Sequence, residues 1–93
     1  MQGYTYSTLW KAQLPEAGAY FASLGLRLIG RGEWRSALCP FHDDRRPSLR
    51  VNIRTGAFRC FSCGAKGGDI VAFHRLKYGL GFRAALRDLG VRE

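Results

Sequence analysis

Apolar positions along this chain repeat with two different periods. Behind Pro15, which suits the first turn of a helix, Ala17, Tyr20, Phe21 and Leu24 stand at i, i+3, i+4 and i+7, and Gly25 follows as a stop. This spacing predicts an amphipathic helix of about ten residues with its stripe in the core. The same period returns near the other end. Asp69 suits the N-cap of a helix running to about Tyr78, with Ile70, Phe73 and Leu76 inward and Gly79 as its end. Phe82, Ala85, Leu86 and Leu89 repeat the stripe, closed by Gly90.

Between these stripes the period falls to two. Leu26 and Leu28 alternate with arginine as a short strand, Gly30-Arg31-Gly32 turns the chain, and Trp34 to Leu38 returns as a second strand. Leu49, Val51 and Ile53 then alternate with Arg50, Asn52 and Arg54. Thr55-Gly56 turns the chain, and Ala57 to Phe61 comes back as the partner. A two-residue loop pairs Arg54 with Ala57, Asn52 with Arg59 and Arg50 with Phe61. A four-residue loop shifts the pairs by two and keeps every side chain on the same face. Leu49, Val51, Ile53 and Phe58 then share a buried face, and Arg50, Asn52, Arg54, Arg59 and Phe61 share the exposed one. A three-residue loop would set Arg59 beside Val51 on the apolar face, so the patterning argues against it.

Composition narrows the class. The 93 residues carry fifteen Lys+Arg against seven Asp+Glu, a net +8, with 46% hydrophobic residues. That is a globular composition rather than a disordered basic tail, and its charge points to nucleic acid or another polyanion. Eight of the bases and only three of the acids fall in residues 31–66, so the middle is the basic part. No apolar run approaches the roughly 20 residues of a membrane span. The chain opens on a polar, Tyr-rich stretch instead of a charged and then apolar signal, so a cytoplasmic protein is expected.

The three cysteines cannot all pair with one another, which favours metal over a disulfide framework. Cys39-Pro40-Phe41-His42 and Cys60-Phe61-Ser62-Cys63 are two ligand pairs, each with two intervening residues, separated by seventeen. That spacing lets both side chains of a tight turn point into one site, and the interval is long enough for a hairpin to bring the turns together. Three thiolates and one imidazole, Cys39, His42, Cys60 and Cys63, close a tetrahedral shell suited to one structural Zn2+. His74 lies mid-helix and is not needed to complete it.

At these residues the chain resembles the zinc-binding domain of bacterial and phage DNA primases. The resemblance rests on Cys39-Pro40-Phe41-His42, Pro47-Ser48, Cys60-Phe61-Ser62-Cys63-Gly64 and Gly68-Asp69-Ile70, and covers residues from about 36 to 90. Leu49, where an aromatic is usual, and Ser62, where glycine is common, depart from the pattern. The resemblance implies an α+β fold: a small zinc ribbon with an antiparallel β-sheet and two zinc knuckles, one N-terminal helix and two C-terminal helices. Residues 1–93 then form a single zinc-ribbon domain, with 1–35 as helix and strand extension, 36–66 as ribbon and 67–93 as C-terminal helices. It also implies a module that binds single-stranded DNA template in primer synthesis, with a primase catalytic domain or a replicative helicase as partner.

Catalysis is not expected of the chain itself. Asp43-Asp44 is the one adjacent acid pair and reads as a surface loop, not as the converging carboxylates of a two-metal site. Residues 64–68 read as a tight turn rather than a phosphate cradle. No His-x-Glu precedes the cysteine pair, and no nucleophile set remains once the ligands are spent. Trp34 and Phe58 are expected in the core, while Phe41, inside the first knuckle, fits core or base stacking. Arg45, Arg46 and Lys66 extend the basic face of the hairpin. The other class of function that fits is a protein-interaction module docking onto a replication or mobile-element protein, its charge serving solubility.

Overall fold

Two hydrogen-bonding patterns, one for each period in the sequence, build the molecule. The computed structural model describes residues 8–92; the Tyr-rich opening stretch and Glu93 lie outside the described residues. A 3-10 helix, Thr8–Gln13, precedes α1 (Ala17–Ser23), β1 (Trp34–Ala37), β2 (Leu49–Asn52), β3 (Phe58–Cys60), β4 (Lys66–Gly67), α2 (Ile70–Tyr78) and α3 (Phe82–Asp88). The four strands form one antiparallel sheet in the order β1-β2-β3-β4. The fold is α+β, as expected. None of the described helices is long and apolar enough to cross a membrane.

The hairpin takes the four-residue loop. Leu49 lies opposite Cys60, Arg50 opposite Arg59 and Val51 opposite Phe58, so Leu49, Val51, Phe58 and Cys60 are buried together. Asn52 selects this loop: its Oδ1 accepts the N–H groups of Arg54 and Thr55, each at 2.9 Å. A short polar side chain that caps its own turn in this way satisfies donors that would otherwise face solvent. Gly56 closes the loop at φ 85°, and a Cβ there would lie 2.8 Å from Ile70, so the loop tip packs directly on the start of α2.

Helix α2 faces two neighbours. Ile70 and Phe73 enter the cluster under the sheet, while Val71 joins Ala85, Leu86 and Val91 against α3. Phe73 is the hub, with ring centroids 4.8 Å from Phe58, 5.0 Å from Phe41 and 5.1 Å from Phe21. Its contacts to Phe58 and Phe21 are edge-on, the favoured geometry for such pairs. His74 is buried on the same helix. Its Nδ1 lies 2.8 Å from the Tyr20 hydroxyl, and its Nε2 meets Asp88, so one imidazole joins α1, α2 and α3.

Several expectations need correction. Leu76 is 51% exposed rather than inward, because sheet and α3 already occupy the two sides of α2 that face protein. The strand expected at Leu26–Leu28 reduces to one bridge, Ile29 with Ser36; Leu26 and Leu28 instead lean on the core. Residues 64–68 do more than turn: Lys66 and Gly67 form β4. A Cβ on Gly67 would come within 2.6 Å of the Phe58 ring, so only glycine lets this strand lie there. The 3-10 helix had no periodic signal. Gln13 holds it to the C-terminal segment through both amide atoms, to Arg92 N–H at 2.8 Å and Arg92 C=O at 3.3 Å.

Candidate metal centre

Strand direction assembles the ligand pairs. Because β1 and β3 both run antiparallel to β2, they end on the same side of the sheet. Cys39 lies two residues beyond β1, and Cys60 is the last residue of β3. Each then opens a turn. In the second turn, Cys60 Sγ accepts the N–H groups of Ser62 and Cys63 at 3.4 Å, and Gly64 completes the reversal at φ 81°. In the first, Cys39 N–H donates to Asp44 Oδ2 at 2.8 Å.

The four candidate ligands, Cys39, His42, Cys60 and Cys63, bring one donor atom each within 4.8 Å of one another. Cys39 Sγ lies 3.9 Å from Cys63 Sγ, and His42 Nε2 lies 3.4 Å from Cys60 Sγ. Zn–S bonds of about 2.3 Å give tetrahedron edges of about 3.8 Å, so the spacing fits one zinc ion. The donor chemistry fits too: three sulfurs and an imidazole close the shell and leave no position for substrate. Cys39 and Cys60 are buried, His42 is half-buried and Cys63 is exposed.

The surroundings treat the thiols unequally. Burial pushes Cys39 up to about 12. Cys60 also suffers desolvation, but the hydrogen bonds gathered at its sulfur, among them those from the Cys63 and Ser62 N–H groups, outweigh it and bring the thiol down to about 6. The same Cys60 sulfur raises His42 above its ordinary value. Asp44 is held below the usual carboxylate range, chiefly by the Cys39 N–H. His74 is no ligand, since Tyr20 and Asp88 take both of its ring nitrogens.

On the outer face of the sheet, register places Ser36, Arg50, Arg59 and Lys66 in one row across all four strands. Arg50 is half-buried and donates to Ser36 Oγ at 3.0 Å, while Arg59 and Lys66 are exposed. Phe61 is 68% exposed and carries the Arg59 guanidinium over its ring at 5.1 Å. These are the residues that the structure brings together. Asn52 is buried in its loop and is not available on this face. Arg54 sits past the end of β2 and pairs with Glu33. Arg45 and Arg46 are exposed in the loop before β2, with Arg45 beside Leu26, Ile29, Leu38 and Pro47 rather than in the row.

Trp34 and Asp44 also depart from the sequence expectation. Trp34, expected in the core, is 44% exposed on the same outer face, because β1 is an edge strand and Trp34 lies opposite Asn52. Asp44, read with Asp43 as a surface loop, has a side chain only 5% exposed that lies 3.9 Å from His42. Asp43 alone is exposed. An acid two residues after a ligand and four before Ser48 was the available signal for Asp44.

Comparison with known proteins agrees with this geometry. The profile of the CHC2 zinc finger family matches residues 23–92. The DNA primase of Deinococcus radiodurans is 40% identical over 68 residues, 72% of this chain and 12% of that protein. Gene 58 protein of Mycobacterium phage D29 is 38% identical over 55 residues, 59% of this chain and 42% of that protein. Among solved structures, the zinc-binding and RNA polymerase domains of the Aquifex aeolicus primase align with a TM-score of 0.70 at 26% identity. That alignment covers 100% of this chain and 23% of that one. The chain thus spans about a tenth of the Deinococcus primase and under half of the phage protein.

Proposed function

The chain belongs to the CHC2 zinc-finger family, and from that premise we propose that it serves primer synthesis as a non-catalytic module holding single-stranded DNA on the outer face of its sheet. At the coarser level it is a primase-type zinc domain with a role in DNA replication and one structural zinc. In our reading Cys39, His42, Cys60 and Cys63 ligate that zinc, residues 1–93 act as one unit in the cytoplasm, and a primase catalytic domain or replicative helicase is the partner.

The observation that carries the reading is the row Arg50, Arg59, Lys66 with two exposed aromatics, Phe61 and Trp34, on the same face. Guanidinium and ammonium groups seek phosphate, and flat rings stack on any base, which together make a sequence-tolerant surface for a single strand. If the three cations neutralise three phosphates, log K falls with log salt at a slope of about −2. Fluorescence anisotropy with a labelled single-stranded oligonucleotide across a salt series measures it. Phe61→Ala weakens binding by about 1–3 kcal/mol without changing the slope. Arg59→Ala lowers affinity and flattens the slope by about 0.7. If Phe61→Ala, Trp34→Ala and Arg59→Ala all bind like wild type while folded and zinc-loaded, the reading fails. The interaction-module reading then leads, favoured by the exposed Ile29 and Leu38, which share a groove with Arg27 and Arg45.

A further inference from the structure

We propose that Asp44 is a positioning residue for the metal centre: its carboxylate holds the first knuckle in the metal-binding geometry and, through Ser48, ties it to the second. Its Oδ2 accepts from Cys39 N–H at 2.8 Å, Ser48 Oγ–H at 2.8 Å and Ser48 N–H at 3.3 Å. Its Oδ1 faces His42 Nε2 at 3.9 Å. One buried carboxylate therefore touches the backbone of one ligand, the ring of another and the residue leading into β2.

Ser48 extends the reach. Its Oγ lies 3.4 Å from Cys60 Sγ, and its carbonyl accepts the Phe61 N–H at 3.0 Å. A serine hydroxyl has a single proton. The shorter contact gives that proton to Asp44, leaving the Ser62 and Cys63 N–H groups as the donors to Cys60. Asp44 thus fixes the orientation of Ser48, and Ser48 packs against the first two residues of the second turn, Cys60 and Phe61. Between His42 and β2 the chain has no helix or strand of its own, so the first knuckle is held by side chains: Phe41 packs on Phe73 at 5.0 Å, and Asp44 supplies the polar tie. Partners that orient metal ligands commonly change metal affinity by about 10–100-fold when they are removed.

The test uses the full chain loaded with zinc, with release timed by a colorimetric chelator. Asp44→Asn keeps the size of the side chain and an acceptor oxygen while removing the charge and the second carboxylate oxygen. It is expected to weaken zinc retention by about 10–100-fold and to shift the visible absorption of the cobalt-loaded protein. Asp43→Asn makes the same charge change on the exposed neighbour and is expected to leave both readouts at wild-type values. Release from Asp44→Asn at the wild-type rate overturns the proposal. Equal acceleration in the two variants also overturns it, because long-range charge alone would then explain the effect. Should Asp44→Asn fail to fold, Ser48→Ala carries the test: faster release supports the linkage, and an unchanged rate refutes it.

Discussion

Where β1 and β3 finish, two turns gather four donor atoms within 4.8 Å of one another, among loops that contain no helix. On the inner face of the sheet, by contrast, Phe73 contacts three other phenylalanine rings, and α1, α2 and α3 meet at His74. One region is organised by ligand chemistry and charge-bearing hydrogen bonds, the other by apolar burial with one polar chain through it. A domain of this size has too little interior to hold every loop by packing. The difference teaches which part depends on an outside component. The turns are expected to need the metal to be ordered, while the helices are held by the apolar core they share with the inner face of the sheet.

The largest expected effect strips the metal. Apparent binding free energy at small structural zinc sites is about 10–16 kcal/mol, which exceeds or matches the whole stability of most domains. Cys60→Ala, or chelation, is expected to disorder the knuckles and the sheet ends while sparing helical signal. Metal analysis with circular dichroism before and after chelation measures this. A folded sample with far less than one zinc per chain, or an unchanged spectrum on metal loss, would erase the contrast between the regions. Acid acts in the same direction. Zinc needs thiolates, so the proton on Cys39, raised to about 12 by burial, must leave as the metal enters. Cys60, brought down to about 6, has largely lost its proton at neutral pH and regains it below. Zinc affinity therefore rises with pH through the neutral range and drops steeply under pH 6, which chelator competition across a pH series reads out.

Next in size is Phe73→Ala. Removing a fully buried ring typically costs about 3–5 kcal/mol, measured by denaturant unfolding of the zinc-loaded protein. The site should keep its zinc stoichiometry while the helices melt early. Joint loss of zinc and helix would show that the two regions unfold as one. The smallest effect belongs to His74→Leu, which leaves the buried Tyr20 hydroxyl without its partner at a cost of about 1–3 kcal/mol. Zinc release from this variant should match wild type, in contrast with Asp44→Asn.

The two regions also differ in how far they could be read in advance. The ligand pairs, the stripe of α1 and the facing of the hairpin were legible because each follows a local rule of spacing. Leu76 and Trp34 were not, since their exposure depends on which element lies opposite, α3 for one and no further strand for the other. Asn52 kept the face that alternation assigns it, yet its amide turned back into its own loop. Asp44 escaped because hydrogen bonds to backbone leave no periodic trace. β4 escaped because two residues cannot show a period, and its reason for existing is the absence of a Cβ over Phe58.

The brevity of β4 has a consequence for the life of the molecule among its own copies. A sheet with a bare flank invites strands from neighbouring chains, the first step toward aggregates. Here one flank is only the two residues Lys66 and Gly67, and one of them carries a positive charge. The other flank, β1, has Ser36 already engaged on both sides of its peptide by Ile29. At the β4 flank the sheet ends in a length too short, and a charge too repulsive toward another +8 chain, to template a further strand.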